Sequence, residues 1–269
     1  MCLDVKVSQY GGSAVDFETI LFDVSEHVAT ITFNRPERLN ATNDTSRREL
    51  GEAWGIVRDD PSIRVAIITG AGDRAFSAGQ DIRTTAESGI RVKVPGSRLH
   101  HGVWKPVICA LNGLAVGGAL HQVSDADLII AAEHAELLDT HCMVGNVFGM
   151  EPVGLLRRMP LSMVMQLGLM TKNGKITAQR AYEIGLVNEV VPRDQLMPRA
   201  REIALDITKL SPATVQASIK AMWTSLDVGL HSAFDVAYRY VLQHQLTHPD
   251  YWEGMRAFAE KRTPEWVVG

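Results

Sequence analysis

Two glycine-rich stretches set the tightest limit on how this chain folds. FSAGQDI (Phe76–Ile82) follows the apolar run VAIITGAG, and NGLAVGGAL (Asn112–Leu120) follows PVICAL. Each is followed by a segment that can continue as helix. Strand, glycine turn and helix in that order are the unit of an α/β architecture. Glycine also lets the backbone approach a ligand closely and turn its N–H groups outward. Two such N–H groups aimed at one point stabilise a developing negative oxygen. A helix opening near Gly118 would add its positive dipole end to the same oxygen.

The rest of the chain fits that reading. ETILFDVSEHVATITFN alternates and is rich in β-branched residues, which predicts two strands around a turn at Ser25–His27. Asn43 or Asp44 can cap a helix running to about Asp59 and stopped before Pro61. RVAIITG is a buried strand, and PVICAL and DLIIAA are further strands. Residues 84–98, TTAESGIRVKVPGSR, lack pattern, and Gly89, Pro95 and Gly96 predict a mobile loop. Beyond about Pro152 the pattern is mostly helical, and the tail after about Leu210 has apolar faces (Val215, Ile219, Met222; Phe234, Val241) that predict an exposed interface between subunits. Residues 1–17 read as a loose N-terminal arm.

Composition excludes several classes of function. The chain has 269 residues, 46% of them hydrophobic, enough for one large domain or a core with a small appendage. A net charge of −4 implies no basic surface for nucleic acid. No apolar run approaches the roughly 20 residues of a membrane helix. The first residues lack the basic and apolar regions of a secretory signal. Cys2, Cys109 and Cys142 form neither a CxxC pair nor an even set, so a reducing cytoplasm is the expected home.

Six segments carry the pattern along the chain. ATITFNRPERLNA, KPVICALNGLAVGGAL, SDADLIIAAEHAEL and ITAQRAYEIGLVNEVVP are followed by LSPATVQASIKAMW and EGMRAFAEKRTPEW. In this order they resemble the crotonase (enoyl-CoA hydratase/isomerase) superfamily, from about Glu18 to the end. The resemblance implies a spiral of ββα repeats over 18–205 and a helical trimerisation region over 206–269, in a homo-trimer or homo-hexamer. It implies an acyl-CoA substrate, with coenzyme A arriving as part of it, and no permanently bound cofactor or metal. The oxyanion donors would be the N–H groups of Gln80 and Gly118. Arg38, Leu39 and Ala41, with Ala78, Asp81 and Ile82, match the coenzyme A contacts. Phe258 and Lys261 match residues that reach the nucleotide from a neighbouring subunit. One departure stands out: His121 and His141 occupy the positions where enoyl-CoA hydratases carry two catalytic glutamates.

The candidate chemistry follows from those replacements. His121 lies three residues after Gly118, almost one helical turn on, so it can face the same cavity. Imidazole works as acid or base near neutral pH. His141, in LLDTHCMVGN, is a second candidate. Asp139 can orient an imidazole, as carboxylates do in hydrolytic sites, or stand as an exposed loop residue. Glu151 can approach the acyl group, or serve only as a dipole-stabilised charge before Pro152. Cys142 adjoins His141, but in an extended segment neighbouring side chains point to opposite sides. His244 and His248 have the spacing of a helical metal pair but no third ligand near them in sequence. Three activities remain open. One is an enoyl-CoA hydratase/isomerase-like enzyme with histidine as acid or base. The others are hydrolysis of a β-diketone carbon–carbon bond and non-catalytic acyl-CoA binding. Ordinary two-glutamate hydration of crotonyl-CoA is expected to be weak.

Overall fold

A computed structural model describes residues 16–82 and 96–267. The arm over most of 1–17 and most of the predicted mobile loop at 84–98 lie outside them.

The hairpin forms where alternation places it. Strands β1 (Ile20–Ser25) and β2 (Val28–Phe33) pair antiparallel. Their turn uses Glu26 and His27, both with positive φ, which matches the twist of a two-residue hairpin loop. Helix α1 (Asp44–Asp59) starts at a capping box: the Asn43 side chain accepts from the Ser46 N–H at 2.8 Å, and Ser46 answers the Asn43 N–H.

After α1 one unit recurs. A fully buried strand in a large sheet turns a corner into a short strand of a second sheet. These pairs are β3 (Val65–Gly70) with β4 (Ala75–Ser77), β5 (Val107–Leu111) with β6 (Leu114–Val116), and β7 (Leu128–Ala132) with β8 (Glu136–Leu138). Helix α2 (Leu120–Asp125) follows β6, and helix α3 (Glu151–Leu155) lies beyond β8. Helix α4 (Leu161–Met170), strand β9 (Ile176–Thr177), helix α5 (Ala178–Glu183) and strand β10 (Glu189–Val191) complete the core. The large sheet runs β1-β2-β3-β5-β7-β10, parallel from β2 onward, and the second runs β4-β6-β8-β9. Two asparagines tie the corners. Asn112 accepts from the Gly70 N–H at 3.0 Å, and Asn40 donates to the carbonyls of Ala71 and Ala75 at 2.9 and 2.8 Å.

The β3 run is apolar throughout because both its faces are covered. Ala66 and Ile68 pack with Leu50, Trp54 and Val57 of α1. Val65 and Ile67 pack on Leu196, Ala200 and Ala204 of helix α6 (Leu196–Thr208). Helices α7 (Pro212–Ser225), α8 (Leu230–Thr247) and α9 (Asp250–Glu260) follow. The Trp223 indole on α7 donates to Asp127 at 2.9 Å beneath the buried Arg98 guanidinium, which anchors the tail. Met222, Phe234 and Val241 are exposed, as the sequence pattern suggested. Ile219 is not: at 6% exposure it is covered by its own chain, and Val215 is half-buried.

Candidate active site

Three segments distant in sequence leave the same edge of one sheet. Strands β4, β6 and β8 are parallel neighbours. Gly79 and Gln80 follow β4, Gly117 and Gly118 follow β6, and Asp139 and His141 follow β8. The carboxyl ends of parallel strands are where α/β folds build their sites.

Glycine at two of these positions is a steric requirement. A Cβ on Gly79, whose φ is +79°, would lie 2.5 Å from the Val116 carbonyl and 3.4 Å from the Gly118 nitrogen. The backbone just before Gln80 therefore packs against the Gly118 amide. Gly117, with φ of +53°, approaches His141: a Cβ there would stand 3.3 Å from His141 Cε1. Gly118 itself is exposed between buried neighbours, with open space on the side a Cβ would take.

Four ionisable side chains meet beside this floor. Asp139 is fully buried, which removes the exposed-loop alternative. It accepts from the His141 backbone N–H and contacts His141 Nδ1, both at 2.8 Å. Glu151, 5% exposed at the start of α3, places Oε1 3.4 Å from His121 Nε2 and 3.6 Å from His141 Nε2. Its Oε2 is buried and has no hydrogen-bond partner. Glu151 is the first residue of a helix, as one sequence reading has it, and its carboxylate also joins the two histidines.

The electrostatics push acid and base apart. Burial works to raise the Glu151 carboxyl. The His121 imidazole, its own backbone N–H and the charge of His141 outweigh that and hold it below the usual carboxylate value. His141 moves the other way. Its bond to Asp139 raises it, burial opposes, and the charges of Glu151 and Asp139 add to the rise.

The segments expected to contact coenzyme A also come together. The Ala78 N–H donates to the Leu39 carbonyl at 2.8 Å, and the Thr42 N–H to the Gly79 carbonyl at 2.8 Å. Arg35 reaches Asp81 at 3.4 Å and the Ala41 carbonyl at 2.6 Å. Leu39 holds a left-handed conformation directly after Arg38, and Ile82 is exposed. Phe258, 88% exposed, and Lys261 lie at the end of α9, and among the described residues no hydrogen bond or ion pair ties either to this turn.

One local expectation needs correction. Cys142 does not sit in an extended segment: Cys142–Val144 form a single 3-10 turn after His141, and the thiol is exposed. The short spacing to the αL residue Gly145 tightens the chain there. His244 and His248 stack on each other, and among the described residues no group of three or more His, Cys, Asp or Glu is arranged to hold a metal ion.

A cavity of about 350 Å³ opens beside His121. It is walled by Trp104, by Met150 and Val153 around Glu151, and by Trp223 from α7. Sequence reasoning missed this wall, because a tryptophan on a helix face reads as core.

The comparisons agree with the geometry. A family model described as enoyl-CoA hydratase/isomerase matches residues 23–268. The (E)-benzylidenesuccinyl-CoA hydratase of Thauera aromatica is 36% identical over 254 residues, 91% of this chain and 97% of that protein. Carnitinyl-CoA dehydratase of Proteus mirabilis is 36% identical over 251 residues, 89% and 94% of the two chains. The crystal structure of an enoyl-CoA hydratase/isomerase from Mycobacterium paratuberculosis superposes with a TM-score of 0.87 at 36% identity, over 94% of this chain and all of that one. No helix among the described residues is long and apolar enough to cross a membrane. With its glycine loops, coenzyme A turn and corner-linked strands, this chain belongs to the enoyl-CoA hydratase/isomerase family, as an acyl-CoA-processing enzyme with the crotonase fold.

Proposed function

We propose that the enzyme adds water to, or removes it from, a 2-enoyl-CoA thioester, with Glu151 as base and His141 as acid. The observation that carries this is the buried Glu151 carboxylate, held between two imidazoles with one oxygen unpartnered. In the hydration direction, Glu151 Oε2 takes a proton from water and the hydroxyl adds to the β-carbon. The double-bond electrons move to the thioester, whose oxygen becomes negative under the N–H groups of Gln80 and Gly118. His141 then protonates the α-carbon. The 3.6 Å contact between Glu151 and His141 lets the captured proton return to the imidazole, which closes the cycle. His121 fixes the Glu151 carboxylate from the other side. Dehydration is the same path reversed. That relatives of 36% identity are a hydratase and a dehydratase supports a water-transfer reaction.

Arg38, Leu39 and Ala41, with Ala78, Asp81 and Ile82, would hold coenzyme A, which enters and leaves with the acyl group. Phe258 and Lys261 would reach it from a second subunit of a homo-trimer or homo-hexamer, and the exposed Met222, Phe234 and Val241 supply apolar surface for that assembly.

One observation favours a second reading. An aspartate bonded to Nδ1 of a histidine is also how hydrolases activate water for attack on a carbonyl. The same base would then open a β-diketone carbon–carbon bond, with the enolate leaving into the oxyanion site. Product analysis in ¹⁸O-water separates the two, using a series of 2-enoyl-CoA thioesters and cyclic β-diketones. Label in a 3-hydroxyacyl-CoA is expected. Label only in the carboxylate of an opened diketone would overturn the hydration reading, and no label in any product would favour a non-catalytic acyl-CoA-binding protein.

A further inference from the structure

The cavity beside His121 carries a polar group that the water-transfer chemistry does not use. His100 lies on its wall, its ring edge-on to His121 with centroids 6.3 Å apart. Its Nδ1 is 2.8 Å from the hydroxyl of Ser97, which is fully buried. That contact fixes the ring and occupies Nδ1. Nε2 remains to meet a ligand, as donor if Ser97 donates and as acceptor if Ser97 accepts.

The rest of the wall limits what that ligand can be. An engineered cavity of about 150 Å³ holds one benzene molecule, and this one measures about 350 Å³. Between the indoles of Trp104 and Trp223 there is room for a ring with a substituent. Its charges disfavour an anion. Asp125 faces the cavity, and Arg157, the cation on the wall, is already paired with Asp227 at 2.6 Å. Among the described residues lining the cavity, a carboxylate would meet Asp125 and Asp227 with no unpaired arginine or lysine opposite it.

We propose that His100 is a specificity-determining residue, and that the acyl group is ring-sized and bears an uncharged oxygen substituent, a ketone or hydroxyl, which His100 binds. The proposal rests on the acyl-CoA reading of the site and deepens it. His100 is itself exposed, so the preference comes from the bond that an oxygen substituent gains at the ring against the bulky indoles around it, and not from a group left unpaired in its absence.

Binding tests it without turnover. Titration calorimetry compares cyclohexanecarbonyl-CoA with its ring-ketone counterpart, on wild type and on His100→Leu, with His100→Asn as the variant that keeps a hydrogen-bonding group. Wild type is expected to bind the ketone about three- to tenfold more tightly. The preference should vanish in His100→Leu, return in part in His100→Asn, and leave affinity for the unsubstituted ring within about threefold. Equal affinities in wild type, or a preference unchanged in His100→Leu, would overturn the assignment while leaving the acyl-CoA reading intact. Failure of wild type to bind either thioester at millimolar concentration would overturn both.

Discussion

Replacing Glu151 by glutamine keeps the volume and removes one negative charge from the centre of the site. If Glu151 is the base, kcat on the true substrate should fall about 10²- to 10⁴-fold, or about 3–5 kcal/mol of transition-state stabilisation. KM should change little, because the glycine loops and the coenzyme A turn are untouched. The pH profile carries a second signature. Glu151 is held below the usual carboxylate value near 4.3 and His141 above the usual histidine value near 6.5. Glu151 is therefore ionised at neutral pH, and the range over which His141 keeps its proton extends upward from the ordinary histidine value. Activity is lost as pH falls through the lowered Glu151 value, and as pH rises through the raised His141 value. Glutamine removes the acid-side limb. It also removes an attraction of about 5 kcal/mol, before desolvation, between unit charges 3.6 Å apart in a medium of effective dielectric about 20. His141 then loses its proton more readily, and the alkaline limb moves to lower pH. The assay is kcat/KM against pH for both proteins, with a thermal melt to establish folding. A folded variant within threefold of wild type and with an unchanged profile would refute the reasoning: Glu151 would be a helix N-terminal charge and the histidines would transfer protons alone.

The remaining predictions follow from the same contacts. Asp139→Asn removes the largest contribution to the raised His141 value, so the alkaline limb should move to lower pH. A raised histidine stabilises the fold fully below its unfolded value near 6.5 and loses that effect as pH rises through the folded value. The deficit of Asp139→Asn, about 1–3 kcal/mol by melting, should therefore be largest below pH 6.5 and shrink above it; a deficit independent of pH would contradict the linkage. Gly117→Ala puts a Cβ 3.3 Å from His141 Cε1 at a left-handed residue, so kcat should drop more than tenfold with about 1–2 kcal/mol of destabilisation, and near-wild-type kcat would show that His141 is not held by this contact. Light scattering should give a mass of about three or six times 29.6 kDa, and a monomer at micromolar concentration would remove the neighbouring-subunit role of Phe258 and Lys261.

Much of the fold was legible because its signals are local. β-branched runs mark the buried strands, Asn43 marks a helix start, and alternation marks the hairpin. The glycine loops are legible for the same reason, since a Cβ on Gly79 would lie 2.5 Å from the Val116 carbonyl and Gly117 holds a left-handed φ beside His141. The wall of the acyl cavity is not local. Trp104, Trp223 and His100 come from a loop, the helical tail and a 3-10 turn, and the contacts of Trp223 with Asp127, Arg98 and Arg158 hold α7 at the site. Ile219 shows the same effect in reverse, an apolar face that suggested an interface and is covered within its own chain.

Glu151 bears most directly on mechanism, and the sequence leaves it ambiguous because a glutamate before proline at a helix start needs no further explanation. Its role depends on β6 and β8 lying side by side, which places His121 and His141 on either side of it. The chemical consequence reaches past position. A site built from two like carboxylates must force their pKa values apart by environment before one can act as acid and the other as base. An imidazole and a carboxylate already differ by about two units, and here the contacts widen the gap, lowering Glu151 and raising His141. Exchanging the two glutamate positions for histidine therefore need not disable proton transfer, provided a carboxylate enters from elsewhere. In this chain it enters from α3, in reach of both rings and with one buried oxygen left without a partner.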